Sequence, residues 1–167
     1  MKYPDAQQYT TPNQKIGRSE PITKIVLHIT DGQGKLSRAI EHFQKKENQL
    51  SAHFLIAPDG TVAQLVSIEN TAWHCKGLNN STVGIETMAR SKGELSKTDQ
   101  GMPMTEAQYK SLSELIRWLC SELKMPMDRE HIIGHNEARD KEGNLLSSHK
   151  DCPTGCLNWD KLMSILK

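Results

Sequence analysis

The sequence predicts a single α/β domain, and three observations carry that expectation. Short β-branched runs recur along the chain, among them Ile25-Val26-Leu27-His28 and Ile132-Ile133-Gly134-His135, and such runs read as buried strands. Apolar residues at helical spacing mark residues 36–46 and 105–123. The length, 167 residues, suits one domain with a real core and leaves no room for a second large one. Lysine plus arginine (21) nearly balances aspartate plus glutamate (20), so net charge implies no nucleic-acid partner. No stretch approaches the roughly 18 consecutive apolar residues of a membrane span, so membrane insertion is not expected. The polar first twenty residues lack the apolar core of a signal peptide. The expectation is a protein that stays in the cytoplasm or leaves it by a route needing no such signal.

Residues 1–21 read as an irregular leader punctuated by Pro4, Pro12 and Pro21, and residues 22–167 as the domain itself. Residues 24–29 form a strand ending at His28, and Thr30-Asp31-Gly32 turns the chain. Leu36, Ala39, Ile40 and Phe43 mark an amphipathic helix over residues 36–46, with His42 off the stripe and solvated. Residues 52–57 and 61–66 flank Pro58-Asp59-Gly60, and Asp-Gly between β-rich runs signals a hairpin. The next strand, residues 81–88, carries Val83-Gly84-Ile85-Glu86. Ahead of it, Ala72-Trp73-His74-Cys75-Lys76-Gly77 is chemically rich for a mere connector. Residues 90–101 read as a loop beside the site. Thr105-Glu106-Ala107-Gln108 is a capping-box start. The helix it opens carries Tyr109, Leu112, Leu115, Ile116, Leu119 and Leu123 on one face and ends before Pro126. Residues 132–135 form a short strand, residues 137–148 a polar insertion and residues 158–166 a closing helix.

Function is organised around Ser148-His149-Lys150-Asp151-Cys152-Pro153. Cys152 offers a thiolate ligand, and Lys150 sets a cation beside whatever that thiolate binds. His28 and His135, each closing a strand at the sheet edge, complete a set of two imidazoles and one thiolate. Such a set fills three positions around Zn²⁺ and leaves the fourth for water, the pattern of a catalytic site. The competing reading of a strand-end histidine is a hydrogen-bonded core residue, and the chain has no compact motif such as His-Glu-x-x-His. Cys156 is a spare donor four residues after Cys152. Cys120, on the apolar helix face, reads as a buried free thiol. Without a signal sequence the four cysteines require no disulfide framework.

Several segments together resemble one known family. They are Val26-Leu27-His28-Ile29-Thr30, Ser51-Ala52-His53-Phe54-Leu55-Ile56, Asp59-Gly60-Thr61, Ala72-Trp73-His74, Val83-Gly84-Ile85-Glu86, Ile133-Gly134-His135-Asn136-Glu137 and Lys150-Asp151-Cys152-Pro153. The resemblance is to the type 2 N-acetylmuramoyl-L-alanine amidases, which include phage lysozyme-amidases, cytosolic muropeptide-recycling amidases and animal peptidoglycan recognition proteins. It covers roughly residues 22–166, in the family's order. It implies a central mixed sheet flanked by helices, a zinc cofactor, and cleavage of the amide between N-acetylmuramic acid and L-alanine. It carries the metal role to His28, His135 and Cys152, with Asp151 and His149 as rivals of Cys152, and the oxyanion role to Lys150.

Some members keep a tyrosine before the hairpin histidine, where this chain has Ala52. Recycling amidases keep a glutamate after Gly-Ile, where this chain has Glu86. The resemblance therefore makes Glu86 the proton shuttle, against the alternative of a strand-edge carboxylate in a salt bridge. His53 reads as structural, His74 as a sugar or peptide contact, and Trp73 as either a saccharide platform or a core anchor. Residues 139–148 exceed the equivalent connection in compact members. The implied partner is peptidoglycan or its muropeptides. The alternative function is a non-catalytic muropeptide-binding module. A phage endolysin released by a holin, a recycling enzyme, and an antibacterial effector using a secretion system and an immunity partner all stay open as settings.

Overall fold

The structure, a computed structural model, describes residues 1–32, 34–92 and 101–167. Its elements run β1 (Ala6–Gln8), β2 (Gln14–Lys15), β3 (Lys24–Ile29), α1 (Leu36–Gln44), β4 (Phe54–Ile56), β5 (Val62–Gln64), β6 (Thr71–Ala72), β7 (Thr82–Thr87), α2 (Glu106–Leu123), β8 (Ile132–Gly134) and α3 (Trp159–Leu166). Six strands build one mixed sheet in the order β1-β5-β4-β7-β3-β8, and β2 pairs with β6 apart from it. The β4–β5 hairpin is antiparallel, turned at Gly60 with φ +88°. The other pairings in the large sheet are parallel. This is the α/β architecture expected, with the near-continuous apolar run of β3 at an interior position of the sheet.

Side chains alternate across the sheet. Ile25, Leu27, Phe54, Ile56, Val83 and Ile85 meet Leu112, Leu115, Ile116 and Leu119 of α2 and Leu162 and Leu166 of α3 in the main core. On the other face Leu55 and Ala63 pack with Ile40 and Phe43 of α1. That second face also carries His28 and Glu86, which lie in register on the neighbouring strands β3 and β7. The capping box forms as expected: the Thr105 side chain accepts the Gln108 N–H at 3.1 Å, and Gln108 Oε1 accepts the Thr105 N–H at 2.9 Å. Gln108 is buried, and its Nε2 donates to the carbonyls of Ile56 and Met88, tying the start of α2 to the sheet.

The leader departs from the irregular chain expected of residues 1–21. β1 adds a parallel edge strand beside β5, and Tyr3 enters the core with its ring against Phe54 and Trp118 at centroid distances of 6.4 and 5.0 Å. The physical reason is the open edge of β5, whose free N–H and C=O groups pair with whatever chain lies alongside. Further on, Arg18 donates to the carbonyls of Ile68, Asn79, Asn80 and Thr82 at 2.6, 3.2, 2.9 and 3.0 Å. Most of residues 90–101, expected as a loop beside the site, lie outside the described residues. Among the described residues no helix is long and apolar enough to cross a membrane.

Candidate metal centre and active site

Parallel pairing of β3 with β8 sets Leu27 opposite Gly134, so the residues that follow, His28 and His135, emerge together at the strand ends. Carboxyl ends of parallel strands are where α/β sheets place ligands. Cys152 comes from the loop before α3, and the ligand atoms of the three residues all lie within 4.8 Å of one another. The rings of His28 and His135 are 4.5 Å apart, and His28 Nδ1 stands 3.9 Å from Cys152 Sγ. The Ile29 N–H also points at that sulfur, at 3.4 Å.

Two neighbours of His135 hold this geometry. Glu137 accepts the Gly134 N–H at 2.7 Å, and its carboxylate receives Arg129 Nη2 at 2.6 and 2.7 Å, which fixes the turn presenting His135. Asn136 straps the Cys152 loop to that turn. Its N–H donates to the Cys152 carbonyl at 2.8 Å, and its side chain donates to the Lys150 carbonyl and to Thr154 Oγ1 at 3.0 and 2.8 Å. Gly134 permits the approach, since a Cβ there would stand 2.7 Å from Pro153 Cδ. The insertion folds back on itself. Arg139 and Leu145 pair as a bridge, and the Leu146 N–H returns to the Ala138 carbonyl at 2.9 Å. Cys152 is thereby returned to the histidines.

Burial first, then the nearby His74, His135 and His149, hold His28 well below the usual imidazole range. Burial and His149 also lower His135. Both rings are thus neutral, the form in which histidine ligates a metal. In the protein alone, burial and then the Glu86 carboxylate push the Cys152 thiol up to about 12. Burial raises Glu86 to about 8, and its Oε2 is buried with no hydrogen-bond partner among the described residues. Buried His28, half-buried His135 and the Cys152 thiol bring three donor atoms together, with Glu86 in the same cavity, and a dication held by them would favour the thiolate and the ionised carboxyl. The donor set fits zinc in type and number.

The group opens into a cavity of about 760 Å³ lined by His28, Trp73, His74, Glu86, His135, Lys150 and Cys152, with His149 and Asp151 on the same wall. A family model described as N-acetylmuramoyl-L-alanine amidase matches residues 18–155. The chain belongs to the type 2 N-acetylmuramoyl-L-alanine amidase family. Over 146 residues it is 29% identical to the 1,6-anhydro-N-acetylmuramyl-L-alanine amidase AmpD of Haemophilus influenzae, covering 81% of this chain and 70% of that one. Over 74 residues it is 35% identical to N-acetylmuramoyl-L-alanine amidase A of Achromobacter lyticus, covering 44% of this chain and 41% of that one. The match thus spans less than half of the Achromobacter relative's length. In fold the chain is similar to the N-acetylmuramyl-L-alanine amidase AmiD of E. coli, solved in complex with anhydro-N-acetylmuramic acid-L-Ala-D-gamma-Glu-L-Lys. The TM-score is 0.70 at 20% identity, covering 98% of this chain and 60% of that one.

Within this amidase-family chain, all seven residues singled out from the sequence line one cavity. The spare candidates separate from the triad. Cys156 is buried in the main core, and Asp151 and His149 are exposed on the cavity wall outside the three-donor group. His53 is fully buried, with Nδ1 accepting the Gly84 N–H at 3.0 Å and Nε2 facing the Asn70 carbonyl at 3.2 Å. His74, expected as a sugar or peptide contact, lines the cavity and also has partners inside the protein. Its Nδ1 lies 3.1 Å from His28 Nε2, and its Nε2 lies 3.2 Å from Thr82 Oγ1. Both ring nitrogens are engaged inside the protein, so only ring surface is left for a ligand. Sequence reasoning missed the supports Arg129, Asn136, Glu137, Thr82 and Arg18. For Asn136 and Glu137 a signal existed, because they directly follow His135.

Proposed function

We propose that this family member is a zinc-dependent N-acetylmuramoyl-L-alanine amidase. Its substrate is peptidoglycan or its muropeptide fragments, and it hydrolyses the amide joining N-acetylmuramic acid to L-alanine. The observation that carries this reading is the meeting of His28, His135 and Cys152 donor atoms within 4.8 Å, beside a buried carboxyl in the same cavity. The ligand of the similar E. coli amidase contains the muramic acid–alanine amide, which supports muropeptide as the substrate class.

His28, His135 and Cys152 would hold the ion, which when bound supplies Lewis acidity toward the amide carbonyl and a lowered water pKa. Glu86, in the same cavity as the three donors, takes a proton from the attacking water as its carboxylate. As the water oxygen bonds to the carbonyl carbon, Lys150 offers its ammonium to the oxygen gaining negative charge. The C–N bond then breaks, and Glu86 passes the proton to the alanine nitrogen. The products are a muramoyl carboxylate and a peptide with a free amino terminus. Trp73, on the cavity wall, offers a ring face to the saccharide.

Elemental analysis of purified protein and mass spectrometry of muropeptide digests test this together. About one zinc per chain is expected, lost in His28→Ala and His135→Ala along with release of the alanine-terminated peptide. Cys152→Ser should weaken zinc binding and Cys156→Ser should not, and Cys152 should become open to alkylation only on chelation. Full zinc in both histidine variants, or intact muropeptide after incubation with the zinc-loaded enzyme, would overturn the proposal.

A further inference from the structure

We infer that His74 and Thr82 act as positioning residues that set the tautomer of His28, so that its bare Nδ1 faces Cys152. The inference rests on the metal reading above and concerns how the chain prepares that site. It begins at a group that can only accept, the Leu78 carbonyl, to which the Thr82 hydroxyl donates at 2.8 Å. With its one proton so committed, Thr82 Oγ1 can only accept from His74 Nε2, 3.2 Å away. A neutral imidazole, the form in which histidine ligates a metal, carries one N–H, and on His74 that N–H is the one Nε2 gives to Thr82. His74 Nδ1 is therefore an acceptor, and His28 Nε2, 3.1 Å from it, must be the donor. That leaves a lone pair on His28 Nδ1, the atom 3.9 Å from Cys152 Sγ. The reverse direction would set two oxygen lone pairs against each other at the Thr82–Leu78 contact and place an N–H where a ligand is needed.

The surroundings hold each link in place. The His74 and Cys75 N–H groups both donate to Asn79 Oδ1, at 3.0 and 2.7 Å. Arg18 fixes the carbonyls of Asn79, Asn80 and Thr82. The His74 ring lies against Gly84, where a Cβ would stand 2.6 Å from Nδ1. Metal-bound histidines generally give their second N–H to a carboxylate, a carbonyl or water, which fixes ring orientation. Here a second imidazole does so, without bringing another charge into a buried cluster that already contains Glu86.

Nitrogen NMR of the metal-free wild-type protein, labelled at histidine, tests the chain directly. Both His28 and His74 should carry hydrogen on Nε2 with bare Nδ1, and a scalar coupling should cross the hydrogen bond from His28 Nε2 to His74 Nδ1. Zinc affinity, measured by chelator competition, should fall about 10–100-fold in His74→Phe, which keeps a ring and removes the acceptor. His74→Asn, whose Oδ1 can replace Nδ1, should recover most of that loss. Hydrogen on Nδ1 of either histidine would overturn the inference, as would wild-type affinity in His74→Phe or no recovery in His74→Asn. If His74→Phe does not fold, the wild-type spectrum still decides. A wild-type protein that binds no zinc would defeat the metal reading, while the spectrum would judge the hydrogen-bond chain separately.

Discussion

Glu86 permits a test that needs no substrate. Its Oε2 is buried without a partner among the described residues, and burial lifts its pKa from the ordinary 4.5 to about 8. In metal-free protein the native state therefore keeps a proton that the unfolded chain releases above its ordinary value. Between those two values the folded state binds more protons, so this group's contribution to stability falls as pH rises. Below the ordinary value it contributes nothing, and above about 8 the full penalty applies. The shift, at 1.36 kcal/mol per unit, corresponds to about 5 kcal/mol, and to about 3 kcal/mol once solvent reaching the part-exposed side chain is allowed for. Glu86→Gln removes the ionisation and keeps the shape. Urea unfolding of both proteins with a chelator present, at pH 5 and pH 9, isolates the effect, because the buried histidines are common to both and cancel. The variant should gain about 3 kcal/mol on wild type between the two pH values. Parallel stability curves would refute the argument.

Two further outcomes follow from the geometry. Lys150→Met should retain zinc and lose about 10²–10³ in kcat, the cost of removing one oxyanion donor; steady-state kinetics at unchanged kcat would take Lys150 out of the reaction. Gly60→Ala should lower stability by about 1–3 kcal/mol. The backbone there has φ +88°, and the new Cβ would stand 3.0 Å from the Ala107 carbonyl oxygen and 2.8 Å from Ser111 Oγ. An unshifted denaturant midpoint would count against that packing.

The strand-ending histidines were legible because each follows a short apolar run, Ile25–Leu27 fully buried at an interior position of the sheet and Ile132–Ile133 at its edge. The start of α2 was legible because a capping box is local, complete within Thr105–Gln108. β1 was not, since Ala6-Gln7-Gln8 shows no alternation of its own and pairs only because β5 offers an edge. Nor was the part played by His74. Its neighbours mark it as chemically active, but its partner His28 lies 46 residues away, and the direction proposed for it starts at the Leu78 carbonyl and passes through Thr82. Arg18 read as one more charge in a polar leader. Its half-buried guanidinium, lowered to about 10 by burial, finds its carbonyl partners only when residues 68 and 79–82 come together.

The leader bears on how this enzyme domain can be cut for study. A fragment beginning at Ile22 would lack Tyr3, leaving a gap beside Phe54 and Trp118. It would strip β1 from β5 and present a bare sheet edge to other molecules. It would also free the carbonyls of Asn79, Asn80 and Thr82, loosening the chain that delivers Thr82 to His74. Such a fragment would associate with itself and bind zinc weakly, although every proposed ligand would still be present. The family match starts at residue 18, and so includes the arginine and leaves out the tyrosine.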